Sequence, residues 1–167
     1  MTAFATLDDL DVSGKRVLVR ADLNVPMKDG QVTDDTRINR LLPTLKELRA
    51  RRAKVIVLSH FGRPKGQIAA DMSLSAVCDR LADALDTEVA FASDCIGEAA
   101  KSIVESLQDG DVALLENLRF HAGEEQNDDA FADALAANGD FYVNDAFSCA
   151  HRAHASTEAL ARRLPSA

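Results

Sequence analysis

Four places along this chain put polar or cationic side chains directly after a short apolar run. Val17-Leu18-Val19 is followed by Arg20, Asp22 and Asn24. Val55-Ile56-Val57-Leu58 is followed by Ser59, His60, Phe61, Gly62 and Arg63. Val112-Ala113-Leu114-Leu115 is followed by Glu116, Asn117, Leu118 and Arg119, and Phe141-Tyr142-Val143 by Asn144 and Asp145. His151, Arg152 and His154 come shortly after the last run, and Arg37 opens the helical pattern after the first. Guanidinium groups bind phosphate and carboxylate through paired N–H donors. Several of them on successive loops suit a small ligand with two or more anionic groups. Asp22 and Asn24 have two readings on spacing alone: contacts to a ligand, or Asx residues closing a turn.

These loops need a scaffold that brings them to one rim. The apolar runs, with a further one at Val89-Ala90-Phe91, are nearly continuous rather than alternating. That pattern fits strands covered on both faces, as in a parallel sheet. Helical stripes lie between them. Ile38, Leu41, Leu42, Leu45 and Leu48 form the first, in which Pro43 predicts a kink or a late start. Leu74, Val77, Cys78, Leu81 and Leu85 form the second, with Ser73 as the expected N-cap. Ile96, Ala99, Ala100, Ile103 and Leu107 form a third before Gly110, and Phe131, Ala134 and Leu135 a fourth before Gly139. A further Ala- and Leu-rich helix is expected from about Ser156. The expected fold is α/β: one domain over 1–167, a three-layer, doubly wound open sheet of parallel strands with helices on both faces, Rossmann-like. In such sheets ligands bind beyond the carboxyl ends of the strands, which is where the polar loops fall.

Composition narrows the classes. The net charge is −8 with a pI near 4.9, which argues against nucleic acid or an anionic membrane as partner. The first residues lack the apolar core of a signal peptide, and no run approaches the roughly 18 apolar residues of a membrane span, so a cytoplasmic location is expected. Cys78, Cys95 and Cys149 are expected to be free thiols. Neither a P-loop nor a G-x-G-x-x-G motif occurs. Cys149, His151 and His154 lack a fourth ligand and a usual zinc spacing, so no metal is expected.

Several long motifs point to one family. R-V-L-V-R-A-D-L-N-V-P at 16–26, D-D-T-R-I at 34–38, S-H-F-G-R-P at 59–64, E-N-L-R-F at 116–120 and N-D-A-F-S-C-A-H-R-A-H-A-S at 144–156 resemble phosphoglycerate kinase, in that family's order. The resemblance implies reversible phosphoryl transfer between ATP and the carboxylate of 3-phosphoglycerate, by a two-domain enzyme. Carried over by motif, Asp22 and Asn24 would meet the substrate 2-hydroxyl. His60, Arg63, Arg119 and Arg152 would hold the 3-phosphate. Arg37 would lie nearest the reacting carboxylate, as the catalytic cation, and the backbone of Leu23, Phe61 and Gly62 would line the pocket.

On this reading the chain is the acid-substrate domain, binding 3-phosphoglycerate or 1,3-bisphosphoglycerate. Mg-ATP or Mg-ADP would be held by a C-terminal domain outside it. The chain alone is expected to be monomeric and not to turn over. Two other readings are a stand-alone module for phosphorylated acids and a haloacid-dehalogenase-like phosphatase. The second would need an acid at Asn24 and a magnesium site.

Overall fold

The computed structural model describes residues 11–62, 64–145 and 154–165. The five apolar runs become β1 (Arg16–Arg20), β4 (Lys54–Leu58), β5 (Val89–Ala92), β6 (Val112–Leu115) and β7 (Phe141–Asn144). They form one sheet in the order β5-β6-β4-β1-β7, and every pairing is parallel. Val17 in β1 lies opposite Val55 on one side and Phe141 on the other, which sets the central register.

Two separate cores explain why the runs are continuous. Side chains alternate faces along a strand. Val17 and Val19, Val55 and Val57, and Val112 and Leu114 pack on one face, against Ile38, Leu41, Leu45 and Leu48 of α1 (Thr36–Ala50) and Val77, Cys78, Leu81 and Leu85 of α2 (Ser75–Leu85). Leu18, Ile56, Leu58, Ala113 and Leu115 pack on the other. Their partners there come from α3 (Gly97–Ser106), α5 (Asp129–Ala136) and the π-helical turn Ala155–Ala159. The architecture is therefore three layers, as expected.

Local detail departs from expectation at several points. Pro43 lies inside α1, which begins at Thr36 and runs through it. The start is fixed by Asp34, whose Oδ1 accepts from the backbone N and hydroxyl of Thr36. Those bonds hold the Asp34 carboxyl below its ordinary range. Ser73 caps α2 from one position further out, its Oγ accepting from Ser75 N while Leu74 takes the N-cap place. A hairpin, β2 (Met27–Lys28) with β3 (Gln31–Val32), turns at Asp29 and Gly30, both at positive φ as a type I′ turn requires. The short helix α4 (Ala122–Glu125) follows the 3₁₀ turn Leu118–Phe120.

Gly139 serves close approach rather than a left-handed turn. A Cβ there would meet Leu18 Cγ at 2.5 Å, inside the second core. Gly139→Ala is expected to destabilise the fold by about 1–3 kcal/mol, the range for overpacking. A urea midpoint unchanged from the parent would contradict it.

Candidate functional site

The chain leaves β1 toward β4 through α1, on one face. It reaches the opposite edge of β1 at β7 after α5, on the other face. Crevices at such reversals, outside the carboxyl ends of the strands, are where open α/β sheets take ligands. β1, β4 and β6 are neighbours, so their exit loops converge there.

Asn117 ties two of these loops together. Its side chain is fully buried. Oδ1 accepts from Phe61 N and Arg119 N, both at 3.0 Å. Nδ2 donates to Phe61 O at 2.6 Å and Met72 O at 3.0 Å. Glu116 beside it accepts from Leu74 N, Ser73 Oγ and Asn117 N, placing a carboxylate at the N-terminus of α2, where the helix dipole favours it.

The β1 loop is fastened to the β4 loop in the same way. Leu23 is buried, and its N–H donates to Ser59 Oγ, which donates on to His60 O. Asn24 Oδ1 accepts from Gly62 N at 3.0 Å. Gly62 is at φ +62°, a conformation that favours glycine, and a Cβ there would also press on Met72 Sδ at 3.2 Å. Arg119 Nη1 donates to Gly62 O at 3.0 Å. The Pro64-Lys65-Gly66 loop is held by a bond from Gly66 N to Arg119 O.

Asp22 Oδ1 accepts from Asn24 N, so the Asx-turn reading is correct as geometry. The same oxygen lies 3.5 Å from Arg37 Nη1, and Arg37 also donates to Asn24 O. Arg37 is the second residue of α1 and half exposed, beside a cleft lined by Asn24, Pro26, Thr36 and Arg40. Asp22, Leu23, Asn24, Arg37, His60, Phe61, Gly62 and Arg119 are thus brought together by direct bonds. Arg63 and Arg152, with Cys149 and His151, lie outside the described residues. Asp145, after β7, has its carboxyl raised by burial against an opposing hydrogen bond from Thr44.

Arg20 is a correction to the rim read from the sequence. As the last residue of β1 it points into the second core and is fully buried. Nε donates to Ser156 Oγ at 2.8 Å, Nη2 meets His60 Nδ1 at 2.8 Å, and Nη1 donates to Ala21 O. Glu124, also fully buried, accepts from Ser156 N and Oγ and lies 3.9 Å from Arg20. Tyr142 hydroxyl donates to Ser156 O.

Ligand-type side chains also meet at Asp94, Cys95 and His121. Asp94 Oδ1 already accepts from Cys95 N and pairs with His121 Nε2 at 2.7 Å. Burial and neighbouring carboxylates push the Cys95 thiol well above its ordinary value, and burial raises Cys78 to about 11. A thiol and an imidazole are poor donors for magnesium, which takes oxygen ligands. These residues fasten the β5–α3 turn to the loop after β6, and they do not fit a Mg-nucleotide.

Comparison with known proteins identifies the family. The sequence model of the phosphoglycerate kinase family matches residues 7–167. The phosphoglycerate kinase of Sinorhizobium fredii is 65% identical over 163 residues, covering 97% of this chain and 41% of its own length. That of Agrobacterium fabrum is 63% identical over 166 residues, covering 99% and 42%. Among solved structures, phosphoglycerate kinase from Coxiella burnetii superposes with a TM-score of 0.87 at 37% identity, over 98% of this chain and 41% of that one. The Pyrococcus horikoshii enzyme gives 0.88 at 35% identity, over 98% and 42%. The chain thus spans about two fifths of the length of the relatives it matches. On its motifs, its sheet and these likenesses together, the chain belongs to the phosphoglycerate kinase family.

Proposed function

We propose that this chain is the acid-substrate part of a phosphoglycerate kinase, which transfers a phosphoryl group reversibly between ATP and the carboxylate of 3-phosphoglycerate. The observation that carries the reading is the interlocked rim: Arg37, His60, Arg119 and the Asn24–Gly62 bond meet at three adjacent strand ends in an otherwise acidic chain. Phosphoryl transfer asks a protein mainly for positioning and for positive charge around the moving group. No side chain of the rim needs to be a nucleophile, because the substrate carboxylate attacks. Arg37, half exposed in the first turn of α1, would offset charge near that carboxylate. Arg119, with Arg63 and Arg152, would hold the 3-phosphate, and Asp22 and Asn24 would read the 2-hydroxyl. Mg-ATP is assigned to the length of the relatives that this chain does not span. No helix among the described residues is long and apolar enough to cross a membrane, and a cytoplasmic monomer remains the reading for the chain.

Calorimetry tests the site. The chain is expected to bind 3-phosphoglycerate, more weakly as salt rises. Arg37→Ala is the cleanest variant because its side chain is half exposed. It should cost about 1.5–3 kcal/mol of binding, the range for a charge-assisted hydrogen bond. Unchanged affinity in Arg37→Ala would remove it from the site.

Asp22 has a separate test. A site that bonds a hydroxyl rejects the analogue lacking it, because its own polar groups are left unpaired. The chain should therefore prefer 3-phosphoglycerate to 3-phosphopropionate, and Asp22→Ala should shrink that preference. An identical affinity ratio in both proteins would leave Asp22 only its turn-closing bond to Asn24.

A further inference from the structure

The contact between Arg20 and His60 fixes something that a histidine normally leaves open. A guanidinium has only N–H donors and nothing to accept with. At 2.8 Å from Arg20 Nη2, His60 Nδ1 must therefore be the acceptor, and it cannot carry the proton. In a neutral imidazole the proton then resides on Nε2, across the ring and facing away from the buried arginine. The ring cannot easily turn to escape. His60 is 5% exposed, and a flipped ring would turn a C–H toward Arg20 Nη2 in place of Nδ1 and lose that bond.

Arg20 is fixed in turn. Its Nε–H goes to Ser156 Oγ, whose own proton goes to Glu124 Oε2, and Glu124 also takes the Ser156 backbone N–H. Every donor in this chain of bonds has a set direction, starting from a buried carboxylate that neutralises a buried guanidinium.

We propose that Arg20 is a positioning residue that locks His60 as the Nε2–H tautomer, so that His60 offers the anion site a donor and never an acceptor. His60 then takes an ionised oxygen of a phosphate or carboxylate, and it does not act as a general base. The inference deepens the reading of this rim as a phospho-acid site, but the tautomer itself can be measured without any ligand.

The experiment is a long-range proton–nitrogen correlation spectrum of the ¹⁵N-labelled chain at pH 8, above the ordinary histidine range. His60 is assigned by the resonances lost in His60→Gln. The expected result is a protonated Nε2 and an unprotonated Nδ1. A protonated Nδ1, or the tautomer mixture of a free histidine, overturns the proposal with no further variant needed.

Arg20→Lys keeps the charge but loses the fork. It is expected to return His60 to a mixture and to weaken 3-phosphoglycerate binding roughly three- to tenfold, about 0.6–1.4 kcal/mol. Weakened binding with the tautomer unchanged would also overturn the proposal, since Arg20 would then act by another route. A locked tautomer in a chain that binds no 3-phosphoglycerate would instead count against the functional reading alone.

Discussion

Replacing Asn117 by alanine is expected to lower the stability of the fold by about 3–4 kcal/mol, near the top of the range for single substitutions. The amide satisfies four backbone groups at once: Phe61 N, Phe61 O, Met72 O and Arg119 N. Each buried group left without a partner costs about 1–3 kcal/mol. The simple sum overstates the effect, because the vacated space is polar on every side and a water of the right size can enter and recover part of it. Asn117→Asp should be nearly as damaging despite its similar shape. It keeps the acceptor for Phe61 N and Arg119 N, but it turns an oxygen toward Phe61 O and Met72 O, where the amide placed N–H donors.

Asn117→Ala should also disable the site, because Asn117 fastens Phe61, in the loop after β4, to the loop after β6 through two bonds. With Phe61 released, Gly62 loses its place against Asn24 and Arg119, and the rim loses its register. Urea unfolding followed by circular dichroism gives the stability, and calorimetry with 3-phosphoglycerate gives the site. A midpoint within error of the parent, with affinity intact, would show that the two loops are held by something other than this amide.

The strands were legible because a parallel sheet buried on both faces writes itself as a continuous apolar run. Val112–Leu115 coincides with β6, and the other four runs fall within a residue or two of their strands. The helices were legible from their stripes, since α1 and α2 each bury one face. The site was legible only as a set of residue types at strand exits. What binds those exits together was not. Asn117 is 56 residues from Phe61, and an asparagine after a strand carries no local mark of a buried bridge. The hairpin of β2 and β3 has two residues a side, too few for a period to appear, although Asp29-Gly30 is the turn signal such hairpins use. Arg20 was misplaced because sequence position at a strand end does not say which way the side chain points. Its hydroxyl partner, Ser156, is 136 residues away.

The Arg20–Glu124 pair should show the largest departure from additivity. Both side chains are fully buried, and they stand 3.9 Å apart with Ser156 Oγ bonded to each. At an effective dielectric of about 20 their attraction is roughly 4 kcal/mol. Removing either partner forfeits that attraction and strands the other charge, which costs about 3–5 kcal/mol for a buried pair. Glu124→Gln removes the negative charge opposite Arg20: the amide oxygen can still accept from Ser156 N, but the amide nitrogen takes the place of the oxygen that accepted from Ser156 Oγ, so that bond is lost with the charge. Arg20→Met does the converse, leaving the fully buried Glu124 carboxyl without its cationic neighbour. The double variant leaves no charge at this pair, and well-filled neutral replacements of such pairs are often tolerated. It is therefore expected to be more stable than either single variant, even though it carries both changes. Unfolding free energies for the four proteins of this cycle decide the matter. If the two single losses simply add in the double variant, Arg20 and Glu124 are independent neighbours, and the ion pair does not hold this part of the core.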